Sequence, residues 1–96
     1  MRNETEMRQA ALLPEAKRGV VSLSALHPGE QGTVVALAGG RRLLSRMAAL
    51  GFTPGVRVTM VQNFGHGPLI VLVRDTRVAL GRGEASKIHV RRMDSD

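Results

Sequence analysis

Within residues 20–93 the apolar residues recur at every second position in short runs, and the spacing lengthens to that of a helix only once, over Arg41–Leu50. Alternate side chains of a strand point to opposite faces, whereas a spacing near 3.6 lines one side of a helix. One helix among several short strands is a poor match to βαβ units, because each parallel pair needs its own crossover. Glycine and proline mark the joints: His27-Pro28-Gly29-Glu30, Gly39-Gly40, Pro54-Gly55 and Gly65-His66-Gly67-Pro68. At such places Pro presets φ and Gly accepts the conformations that turns demand.

The runs predict strands over residues 31–37, 56–62, 69–74, 77–80 and 88–92, with Val20, Val21, Leu23 and Leu26 supplying apolar groups ahead of the first turn. Asp75-Thr76 reads as a tight reversal, and residues 81–86 as a turn or a single helical turn. Two segments alternate imperfectly: residues 31–37, and 56–62, where Val61 falls on the face of Arg57 and Thr59. In the helix, Leu43, Leu44, Met47 and Leu50 fall together and are expected in the core, opposite Arg42, Ser45, Arg46 and Ala49. Gly51 is placed to end the helix in the left-handed C-cap conformation. About five short strands with one inserted helix predict a small, mostly β barrel over residues 20–93, whose closure hides strand edges.

The chain has 96 residues, one domain's worth, and its interior must be aliphatic: there is no Trp, Tyr or Cys, and the aromatic residues are Phe52 and Phe64. Without Cys there is no thiol nucleophile, disulfide or cysteine-held metal. The acids of the barrel segment, Glu30, Asp75 and Glu84, form no close carboxylate pair, and neither phosphate-loop spacing nor a nucleophile elbow occurs. No catalytic residue and no cofactor site is therefore assigned. His27, His66 and His89 lie in different predicted elements with no ligand spacing, so no metal site is assigned either.

The formal charge is +6, and residues 20–93 carry ten basic groups against those three acids. That balance suits an acidic protein face, nucleic acid or an anionic surface. Stacking on single strands needs aromatic platforms that two Phe do not supply, so nucleic acid is disfavoured. Residues 1–19 mix four basic with three acidic groups and read as an extension, a short helix or disordered. No apolar run approaches the roughly 17–25 residues that cross a bilayer, and the start lacks the features of a signal peptide, so a cytoplasmic location is the default expectation.

The order of several blocks carries a family resemblance. They are Leu23-Ser24-Ala25-Leu26-His27-Pro28-Gly29-Glu30-Gln31-Gly32, then Gly39-Gly40 through the helix into Leu50-Gly51-Phe52-Thr53-Pro54-Gly55. Gly67-Pro68-Leu69, Val78-Ala79-Leu80-Gly81-Arg82 and Glu84-Ala85-Ser86-Lys87-Ile88-His89-Val90 come after them. Over residues 20–90 the chain resembles the FeoA-like family, the small protein A of bacterial ferrous-iron transport systems. That domain is also similar to the C-terminal SH3-like domain of iron- and manganese-responsive repressors. The resemblance implies an SH3-like barrel that acts, without catalysis, as a cytoplasmic accessory to a membrane ferrous-iron transporter bearing a GTPase domain, peripheral at the inner membrane through that transporter. Self-association is compatible with it. The alternatives are a stand-alone regulatory domain related to metal-dependent repressors, or a basic nucleic-acid-binding barrel.

Candidate partner-binding residues are Arg41, Arg42 and Arg46 on the helix, with Phe64 and His66 in the loop where the chain departs from the family pattern. Arg41 and Arg42 sit at the positive end of the helix, an arrangement that a partner's anion relieves. Proline-peptide grooves need aromatic walls, and the absence of Tyr and Trp argues against that mode.

Overall fold

The computed structural model of the chain describes residues 19–93; the extension expected over residues 1–19 lies outside them except for Gly19. One antiparallel sheet is built from β1 (Val20–Ser22), β2 (Gln31–Leu37), β3 (Arg57–Gln62), β4 (Leu69–Val73), β5 (Thr76–Leu80) and β6 (Ile88–Arg92). The spatial order is β1-β6-β2-β3-β4-β5. A 3-10 turn (Leu23–Ala25) succeeds β1, α1 (Arg41–Leu50) leaves the sheet between β2 and β3, and α2 (Arg82–Ala85) joins β5 to β6.

The expected five-stranded barrel is corrected in two respects. The sheet has six strands, and it is open: β1 and β5 are its edges and do not pair with each other. The cause is the path of the chain beyond each edge strand. β1 is three residues long and runs into the 3-10 turn, β5 runs into α2, and these two helical segments pack against one another. Leu23, Leu26 and Ala85, from these segments and the residue after the turn, are fully buried in the same core as the strands. Side chains, rather than strand hydrogen bonds, thus cover the core at the open side.

Alternation sets the rest of that core. Val58 and Met60 of β3, Leu69, Val71 and Val73 of β4, and Ile88 and Val90 of β6 are buried, while Ile70 and Leu72 stay half-exposed on the other face. Phe52 is fully buried directly after α1, as its place in the sequence implied. The two imperfect alternations are β-bulges. β2 pairs Val34 with Val90 and Ala36 with His89, leaving Val35 as the extra residue; β3 pairs Met60 with Val71 and Gln62 with Ile70, leaving Val61. An extra residue bends and twists its strand, which lets one sheet curl over an aliphatic core. Close approach at the centre depends on Gly32, where a Cβ would stand 3.1 Å from the Val90 Cβ and 3.2 Å from the Arg91 carbonyl. The β4–β5 reversal falls on Arg74 and Asp75, both at positive φ (50° and 64°), one residue earlier than expected, as a two-residue hairpin of the primed type requires.

The His27–Glu30 turn is held by charge as well as by its backbone. The Glu30 N–H donates to the His27 carbonyl at 2.9 Å. In return the Glu30 carboxylate accepts the His27 N–H at 2.7 Å and lies 2.9 Å from its ring Nδ1. Its second oxygen is 3.1 Å from Arg92 Nε, and Arg92 Nη2 donates to the Ala25 carbonyl at 3.2 Å. The carboxyl is held below its ordinary value, mainly by the His27 backbone and ring hydrogen bonds; desolvation opposes them, and the attraction of Arg92 adds to the lowering. A lowered folded value means that the charged carboxylate stabilises the fold above the unfolded value and stops doing so as pH falls through the folded one. Glu30→Gln is therefore expected to lower the urea midpoint at neutral pH, and its difference from the parent to shrink on acidification below about pH 4. Midpoints measured across that range check both statements.

Candidate functional site

Asn63, at the end of β3, organises the loop that carries two of the expected contact residues. Its carboxamide nitrogen donates to the carbonyls of Ser24 (3.1 Å) and Leu26 (2.8 Å). Its oxygen accepts the Gly65 N–H (3.0 Å) and Arg82 Nη2 (2.6 Å). Two donated and two accepted bonds use the full capacity of an Asn side chain. Arg82 Nε also donates to the Gly67 carbonyl at 3.2 Å, so the loop is gripped on both sides of its tip. Phe64 stands on that tip with 71% of its surface exposed, and His66 beside it is exposed too.

α2 connects this loop to α1. The Glu84 carboxylate accepts the Gly81 N–H at 3.1 Å, which fixes the start of α2, and its other oxygen pairs with the Arg46 guanidinium. Phe64, His66, α2 and the middle of α1 therefore form one linked surface. Arg46, expected as a partner contact, is here tied to Glu84, although its side chain remains 60% exposed.

α1 meets the body along a narrow stripe. Met47 is fully buried, and Leu43 and Leu50 are half-buried against the core. Leu44, expected in the core, is 38% exposed. Residues at i, i+4 and i+7 suffice to seat a helix on one ridge, and Leu44 lies about 100° of helical rotation away from Leu43, beyond the contact. Gly40 precedes the helix without a side-chain cap, its first turn holds no acid, and Gly51 closes it at φ 103°. Arg41 and Arg42 at that uncapped end are exposed. They lie five and four residues before Arg46, which along a helix is about 6–8 Å from the linked surface.

Among the described residues no three His, Asp or Glu side chains gather as a group able to hold a metal. His27 pairs with Glu30, His66 is on the Phe64 loop and His89 is in β6. The sequence marked Phe64 and His66 by their loop and the arginines by their charge. It did not mark Asn63, whose role depends on carbonyls 37 and 39 residues away. No helix among the described residues is long and apolar enough to cross a membrane.

Comparison with known proteins bears on both family and fold. A family profile described as the FeoA domain matches residues 21–92. A crystal structure of an iron uptake regulatory protein, FeoA, is 35% identical, with a TM-score of 0.74 over 77% of this chain and 99% of that one. The zinc complex of Stenotrophomonas maltophilia FeoA is 32% identical, with a TM-score of 0.66 over 73% of this chain and 88% of that one. A manganese-dependent transcriptional repressor shares the fold, with a TM-score of 0.71 at 24% identity; 77% of this chain matches 42% of the repressor. No match was found among curated protein sequences.

The helix geometry separates two neighbouring apolar residues. Met47→Ala is expected to cost about 2–5 kcal/mol in urea unfolding through lost burial and a cavity. Leu44→Ala is expected to cost less than about 1 kcal/mol, as fits a side chain already in contact with water.

Proposed function

The chain belongs to the FeoA domain family, and from that premise we propose that it is a non-enzymatic cytoplasmic accessory that binds the GTPase domain of a membrane ferrous-iron transporter and supports or regulates Fe(II) uptake. The observation that carries the proposal is Phe64. A large apolar ring is held 71% exposed on a loop fixed by Asn63 and Arg82, outside the core formed by the described residues. Preorganised aromatic anchors of this kind, flanked by charge, dominate the energetics of protein interfaces.

The surroundings of Phe64 give the partner its sign. Leu44 supplies a second exposed apolar group, and Arg41, Arg42 and Arg46 line the same helix. Glu84, the acid of this surface, is already paired with Arg46. An apolar pocket bordered by carboxylates is the complementary face, and its charge would also favour encounter with the basic helix. Phe64 alone offers no stacking series for nucleic acid, which supports a protein partner.

The test is recovery of the transporter from membranes with the tagged chain, together with Fe(II) uptake in a deletion strain. Phe64→Ala is expected to weaken binding by about 30-fold, near 2 kcal/mol, with no change in urea midpoint. Arg41→Glu combined with Arg42→Glu is expected to weaken it further and to remove its sensitivity to salt. Full retention of transporter and uptake with both sets of changes would defeat the assignment of this surface.

A further inference from the structure

The middle strand of the β3-β4-β5 half of the sheet does not alternate. β4 reads Leu69-Ile70-Val71-Leu72-Val73, apolar at all five positions. An antiparallel strand with one face in water carries polar groups there, and an unbroken apolar run belongs to a strand covered on both faces. Leu69, Val71 and Val73 are buried in the core, whereas Ile70 and Leu72 are directed to the other face, are only half-buried and are not packed on that core. Val61, the extra residue of the β3 bulge, is 37% exposed beside them. The helical segments are seated in the core through Leu23, Met47 and Ala85, so among the described residues this outer face is left to the strands.

Charge and position indicate what covers it. The register sets Thr59, Leu72 and Arg77 side by side across β3, β4 and β5, and Arg57 lies two residues before Thr59 on the same face. Arg57 and Arg77 are both exposed, so the apolar row is bordered by positive charge on each outer strand, and neither forms an ion pair among the described residues. A second copy of the chain laid on this face would bring these arginines against their own equivalents, which disfavours self-pairing and favours an acidic protein. Ile70 and Leu72 lie half-buried between their neighbours, a position that suits a side chain reaching down to them rather than insertion into a bilayer. The loop that carries Phe64 joins β3 to β4, so the aromatic anchor stands at one end of the same two strands.

We propose that the partner bound through Phe64 extends over this face: an apolar part of it covers Val61, Ile70 and Leu72, and carboxylates beside that part meet Arg57 and Arg77. This half of the contact rests on the transporter being that partner, and it adds the sheet to the loop and α1.

Thr59 lies at the centre of the face and the chain has no cysteine, so Thr59→Cys places a benzophenone label there in the full-length tagged protein. Ala36→Cys, at an exposed position of β2 in the other half of the sheet, is the comparison. On irradiation with membranes that contain the transporter, the label at position 59 is expected to capture it and the label at position 36 is not. Val61→Asp is expected to weaken recovery of the transporter about 10-fold, with little change in urea midpoint because the position is already exposed. No capture from position 59, or recovery like the parent's with Val61→Asp, would overturn the proposal; the transporter reading survives either result if Phe64→Ala still weakens recovery. Equal capture from both labels, or capture of a second copy of the chain from position 59, would overturn it as well. Failure of the unlabelled parent to recover the transporter would defeat the functional reading itself, and this extension with it.

Discussion

The Asn63 carboxamide joins three segments that the sheet leaves apart. An open antiparallel sheet has two edges and an exposed flank of core, and here that flank is covered by the 3-10 turn after β1 and by α2 after β5. Asn63 donates to the turn through the Ser24 and Leu26 carbonyls and accepts from α2 through Arg82. Leu23, Leu26 and Ala85 remain buried because those segments stay together. The same four hydrogen bonds shape the loop just after Asn63, so the closure of the core and the presentation of Phe64 have one cause. Removing a side chain with every donor and acceptor committed leaves its partners without hydrogen bonds, which makes this position sensitive out of proportion to its size.

Much of the fold was legible because most of its rules are local. The single change of period located α1, Gly51 located its end, and the Pro28-Gly29 turn lies between the 3-10 turn and β2, where its residues placed it. Even the flaws were informative: the irregular alternation of residues 31–37 and the odd position of Val61 mark the two bulges. What escaped was non-local. Periodicity cannot tell whether two edge strands meet, since that depends on whether β1 and β5 continue as strands or give way to helical segments. Nor can it tell how wide a stripe of α1 is covered, and Leu44, adjacent to Leu43 in sequence, falls outside the stripe.

Of the site, the exposed end was legible and the scaffold was not. Phe64 and His66 were expected as contacts because their loop departs from the family pattern, and the structure shows both to be exposed. The arginines were expected as contacts from their charge, and charge does not reveal that Arg46 is paired across 38 residues with Glu84. That pairing alters the meaning of the basic helix. Arg46 of α1 is paired with Glu84 of α2, whereas Arg41 and Arg42 stand exposed at a helix start with no acid in its first turn.

The acids have a common placement. Glu30 is engaged by His27 and Arg92, and Glu84 by Arg46, each closing a turn or a helix start. Asp75 sits in the β4–β5 hairpin, at positive φ. Two of the three acids among the described residues are thus engaged at a turn or a helix start, and the outward face of α1 carries exposed Arg41 and Arg42. A repressor domain with the same fold shows that the sheet alone does not choose a function. The choice lies in what the sheet presents. This chain presents an exposed aromatic tip and a helix whose first turn holds two arginines and no acid.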